Sequence, residues 1–93
     1  MTNRSAAFQT VVRELTEAQQ AVASLEAELL ALSFDPHDPL SLRAALQRME
    51  RTLDKTLQKY RKTPLVDEYI EATKAAYRER LLTAAVQQMH GTL

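Results

Sequence analysis

Twelve carboxylates and two histidines could hold metals or move protons in this chain, and three of these fourteen share the stretch SFDPHDPL, residues 33–40. Asp35, His37 and Asp38 are all metal-ligand types. A zinc or calcium site needs three or more converging protein ligands. This stretch has neither a second histidine one helical turn away nor an EF-hand glycine and closing glutamate. The same residues suit a chain reversal. Asp38 before Pro39 reads as a helix N-cap with proline at the first helical position, where its missing N–H costs nothing. Pro36 pushes Asp35 towards extended backbone and so ends the helix before it. The expectation is a structural corner, with no metal, no cofactor and His37 in water.

Catalytic groupings are equally sparse. The chain has no cysteine, which removes thiol catalysis, disulfides and Cys-ligated zinc together. The second histidine, His90, lies near the end of the last helix. Glu14 with Glu17, and Asp67 with Glu68 and Glu71, are close in sequence, but spacings of three and four are ordinary on a solvated helix. With one glycine in 93 residues there is no phosphate-cradling loop and no dinucleotide fingerprint. No catalytic residue is nominated, and the chain reads as a non-enzyme.

Basic residues cluster around Tyr60: Arg51, Lys55, Lys59, Arg61 and Lys62. Cations neutralise phosphates and a tyrosine can stack on a base, so nucleic-acid binding is one alternative. Against it, the whole chain carries 12 basic and 12 acidic residues, short of the basic domain that this signature asks for. The charge is sorted along the chain instead. Residues 1–39 hold two basic and six acidic side chains, a net −4. Residues 40–63 hold seven against two, +5, and residues 64–93 three against four, −1. An acidic helix beside a basic one is self-complementary, within one chain or between two.

The elements that carry these residues are helices. One glycine, no tryptophan and 5% aromatics leave little material for a sheet. A first helix is expected over about 5–32. Its apolar positions Phe8, Val11, Leu15, Ala18, Val22, Leu25, Leu29 and Leu32 step by 3, 4, 3, 4, 3, 4 and 3. That is a heptad seam. After a corner at 33–38, a second helix over about 39–62 continues with Leu42, Leu46, Met49, Leu53, Thr56 and Tyr60, and Leu57 widens the stripe. Thr63 and Pro64 repeat the cap-and-proline pattern, and Asp67 and Glu68 suit the positive end of the next helix. The third helix is expected over about 64–90, stopped by Gly91. Its apolar residues are less disciplined. Val66, Tyr69, Ile70, Ala76, Tyr77, Leu81, Ala84 and Ala85 make one broad face, with Leu65, Leu82, Val86 and Met89 beside it. Such a width suggests more than one neighbour.

The expected fold is therefore all-α, a single domain: an antiparallel helical hairpin or three-helix bundle with coiled-coil-like heptad packing. A chain this short buries a small core, which invites completion by another chain. No stretch approaches the 18 apolar residues of a membrane span, and the start, MTNRSAAFQTVVREL, lacks the apolar centre of a signal peptide. A cytoplasmic location is expected, with export by a signal-independent route left open.

The segment PHDPLSLRAALQRM resembles the turn of type III secretion needle subunits, small helical hairpins with a proline–aspartate–proline corner before a helix containing leucine and glutamine. The resemblance covers that corner alone. It implies self-assembly by helix packing. The chain departs from the family in its second proline corner, its third helix, and the absence of the family's aromatic N-terminal segment and apolar C-terminal end.

The function expected from the residues is protein–protein contact, as an assembly subunit, adaptor or chaperone. The candidate contact residues are Phe8, Val11, Leu15, Val22, Leu25 and Leu29 of the first helix and Leu46, Met49, Leu53 and Tyr60 of the second. Tyr69 and Tyr77 of the third join them, since tyrosine is favoured where a ring packs and its hydroxyl stays wet. The partner is a different protein, a second copy, or both.

Overall fold

A computed structural model describes residues 2–91, with side chains for residues 6–90. It is all-helical, three helices packed against one another as a bundle: α1 (Thr2–Leu30), α2 (Pro39–Leu57) and α3 (Pro64–Gly91). A short 3-10 turn, Gln58–Tyr60, follows α2. Opposed numbering across each contact shows the directions. Arg78 meets Glu50 and Lys74 meets Asp54, so α2 and α3 are antiparallel. Tyr60 lies beside Glu14 while Met49 lies beside Leu29, so α1 and α2 are antiparallel too. The two long helices α1 and α3 therefore run in the same direction.

Local chemistry makes the corners. Asp38 has extended backbone, φ −111° and ψ 107°, and its carboxylate accepts from the Leu40 N–H. At the second corner, the Thr63 hydroxyl accepts from the Val66 N–H at 3.4 Å and its carbonyl from the Asp67 N–H at 3.0 Å. These side chains and carbonyls satisfy N–H groups that a helix start leaves without intrahelical partners.

The observed boundaries differ from the expected ones at several ends. α1 starts at Thr2 rather than Ser5 and finishes at Leu30 rather than Leu32. The Ala31 N–H is shared between the Ala27 and Glu28 carbonyls at 3.1 and 3.3 Å, a tightened last turn. Leu32 packs against the core from the connection rather than from a helix. α2 is α-helical only to Leu57. Gly91 is the last described residue of α3 rather than a stop beyond it, and no glycine among the described residues has positive φ.

The core is a thin axial stripe. Ala18, Val22 and Leu29 come from α1, Ala45, Met49, Leu53 and Leu57 from α2, and Val66, Ile70, Tyr77 and Ala85 from α3. Removing a leucine such as Leu53 from water contributes about 1.5–3 kcal/mol. The molecule measures 62 × 20 × 19 Å. At 1.5 Å per residue neither α1 nor α3 exceeds roughly 45 Å, so the long dimension requires stagger. One end is the start of α1, before Glu14 comes level with Tyr60.

Candidate functional site

The first corner uses both of its carboxylates on backbone. The His37 N–H donates to Asp35 Oδ1 at 2.9 Å, and the Leu40 N–H to Asp38 Oδ1 at 3.0 Å. Asp35's own N–H donates to Ser41 Oγ at 2.8 Å. This is an Asx turn joined to an N-cap. His37 is exposed. Among the described residues, no three His, Asp or Glu side chains converge as a metal site needs.

The carboxylates singled out by spacing go to different places. Asp67 and Glu71 both accept hydrogen bonds from Arg61, Glu71 at 2.6 Å. Asp54 lies 3.5 Å from Arg61 and 2.9 Å from Lys74, so two cations and three acids bind the end of α2 to the start of α3. Sequence reasoning missed this network, because its members come from three separate segments. Glu14 and Glu17 line a cleft of about 250 Å³ with Lys59, Tyr60 and Lys62. Glu14 Oε2 is buried there without a hydrogen-bond partner among the described residues. Acidic α1 thus faces the basic end of the second segment at this cleft, yet among the described residues no ion pair joins α1 to α2. The inter-helix pairs run to α3: Arg78 to Glu50 at 2.8 Å and Arg80 to Glu26 at 3.8 Å.

That arrangement divides the basic cluster. Arg61 is neutralised by its three acids, which withdraws it from any phosphate. Its pKa is raised, chiefly by the hydrogen bond to Glu71, with partial burial opposing and Asp67 reinforcing. Lys59 sits 5.2 Å from the centre of the Tyr60 ring, which is itself half-buried against the core. Arg51, Lys55 and Lys62 are exposed, as is Arg48 on the same flank, and none of the four makes an ion pair among the described residues.

The apolar candidates also divide. Val22, Leu29, Met49, Leu53 and Tyr77 are buried in the chain's own core. Leu15, Leu25, Leu46, Tyr60 and Tyr69 are partly buried and pack against it. Only at the start of α1 does the seam leave the bundle. Val11 is half-buried, and Phe8 is 70% exposed. A heptad pattern marks which positions want a neighbouring helix, not whether the same chain supplies it. The structure adds a second exposed apolar set on the outside of α3, with Leu82, Val86 and Met89 at 38, 51 and 42% exposure. Sequence spacing alone sets these side chains beside the broad face of α3.

Beside the first corner lies a cavity of about 100 Å³, lined by Leu29, Phe34, Met49, Tyr77 and Leu81 with Arg80 among its walls. Arg80 also stacks 5.0 Å from the Tyr77 ring centre. Sites that enclose small-molecule ligands run to roughly 300–1,000 Å³, so this hollow is a packing gap. The surfaces left for work are the exposed start of α1, the outer face of α3 and the free cations of α2.

No solved structure matches the chain. It is similar to the uncharacterized protein YuaX of Escherichia coli strain K12, with 30% identity over 76 residues, covering 82% of this chain and 78% of that one. The matched length takes in the greater part of both. The YuaX family model matches residues 5–92, nearly the whole chain from the arm of α1 to the end of α3, and the chain belongs to the YuaX family.

Proposed function

We propose that this chain is a non-enzymatic protein–protein interaction module, working as an assembly subunit, adaptor or chaperone by coiled-coil-like packing of its helices. One observation carries the reading. α1 is helical from Thr2, but the first buried residue among its described side chains is Ala18, and Phe8 stands 70% exposed on the same seam that later forms the core. Glu14 and Leu15 already reach Tyr60 and the core, but the turns before them lack that cover, and a lone helix of about a dozen residues is marginal in water because nucleation is costly. A partner helix on Phe8, Val11 and Leu15 supplies that cover. The test is the size of the chain in native extracts of cells that make it, for wild type and Phe8→Asp. The reading expects a complex larger than 10.5 kDa that the substitution dissolves. Migration as a bare monomer in both cases would sink it.

A second reading has its own observation. Arg48, Arg51 and Lys55 face solvent and make no ion pair among the described residues, as a phosphate-binding flank would. It expects binding of a DNA or RNA duplex that weakens steeply with salt and is lost when Arg51 and Lys55 become alanine. Duplex binding that ignores both changes removes it.

A further inference from the structure

We infer that the partner of the exposed α1 arm is a second copy of this chain, in a two-fold antiparallel dimer. Phe8, Val11 and Leu15 of each copy pack on Met89, Val86 and Leu82 of the other. This rests on the interaction reading above and names its partner.

The first support is spacing. Along the chain, Phe8, Val11 and Leu15 step by 3 and then 4, while Leu82, Val86 and Met89 step by 4 and then 3. Antiparallel helices meet with one numbering reversed, and reversal makes the two step patterns identical. Each rung then has a partner at its own level: 8 with 89, 11 with 86, 15 with 82. Stacked apolar rungs are what two packed helices require.

The second support is position along the bundle. Leu29 lines the same cavity as Tyr77 and Leu81, numbering offsets of 48 and 52, so α1 and α3 stand level at an offset of about 50. The middle of the bundle lies between Ala18 and Leu29, the first and last buried residues among the described side chains of α1. From there, at 1.5 Å per residue, residues 8–15 lie roughly 18 Å towards one end, and residues 82–89 roughly 18 Å towards the other. A two-fold axis through the middle, across the bundle, exchanges the ends. It sets the arm of each copy level with the outer apolar residues of its mate.

Closure and charge agree. A two-fold contact of this kind engages both the arm and the outer α3 residues on both copies, whereas a head-to-tail contact would leave one of the two open at each end of a growing array. In the same register Glu17, which makes no ion pair among the described residues, stands level with Arg80 of the mate, whose contact to Glu26 is a long 3.8 Å.

The absence of cysteine makes the test direct. Val11→Cys and Val86→Cys chains are made separately, checked for unchanged helix content, mixed and oxidised. Residues 11 and 86 lie near opposite ends of one molecule, so any bridge is between copies. The expected result is a disulfide-linked species of about twice 10.5 kDa in the mixture and little in either chain alone. Light scattering of the wild type should give the same doubled mass, independent of salt. Cross-linking of Val11→Cys chains by themselves would replace this dimer with one that pairs arm to arm. A wild type that stays monomeric at high concentration, with no bridge in the mixture, overturns the proposal. If that monomer still enters a larger complex in extracts, and Phe8→Asp abolishes it, the interaction reading survives with a different protein as partner. If it does not, both fall together.

Discussion

Arg61 donates a 2.6 Å hydrogen bond to Glu71 and another to Asp67, so the residue that leaves the 3-10 turn is fastened to the first turns of α3. Asp54, late in α2, closes the same network from the other side through Lys74. The corner is therefore held by charge as well as by its proline. Arg61 is 26% exposed, shielded enough for a forked guanidinium to count. Replacing it with methionine should lower stability by about 1–2 kcal/mol in urea unfolding, and lysine should restore only part. The raised pKa of Arg61 sets the pH behaviour. Its contribution is complete below the ordinary arginine range and is lost only as pH climbs through the raised value. Between neutral pH and pH 9 it should stay constant. A methionine variant as stable as wild type would show that the network adds nothing.

The first corner offers a contrast between neighbours. Asp38→Ala should cost about 1 kcal/mol through the lost N-cap, while His37→Ala should leave the thermal midpoint unchanged. Loss of a binding activity in the His37 variant at full helix content would reopen the corner as a site.

Two apolar residues on related seams should behave oppositely. Leu53 is wholly buried, and Leu53→Ala should cost about 2–5 kcal/mol. Phe8 is largely exposed, and Phe8→Ala should change the stability of the isolated bundle by less than about 0.5 kcal/mol. Denaturant titrations at low protein concentration separate the two. A large loss for Phe8 under those conditions would mean that the arm folds back on its own chain.

Amide exchange should divide α1 at Ala18. Residues 6–12 should exchange much faster than residues 18–30 when the chain is dilute, because local opening of an uncovered helix costs little. Raising the concentration should protect the first set and leave the second as it was. Uniform protection along α1 at high dilution would contradict the picture of an uncovered arm.

The amino-acid sequence by itself determined the helical class and the two reversals, for reasons that act over four or five residues. Asp38 with Pro39, and Thr63 with Pro64, carry cap and start signals that need no distant partner. The position of the apolar stripe was legible too, since Val22, Leu29, Met49 and Leu53 keep the spacing of one helix face. Whether a stripe is covered was decided only in three dimensions. Phe8 and Leu29 share one heptad pattern, yet one is exposed and the other buried. The difference lies in the stagger: the second corner turns the chain beside Glu14, and among the described side chains of α1 the first buried one is Ala18. The charges follow the same rule. The acidic and basic segments are plain in one dimension, but which helix answers which charge depends on rotation about each axis. That rotation turned Arg61 and Arg78 towards acids within the chain and left Arg51 and Lys55 facing water.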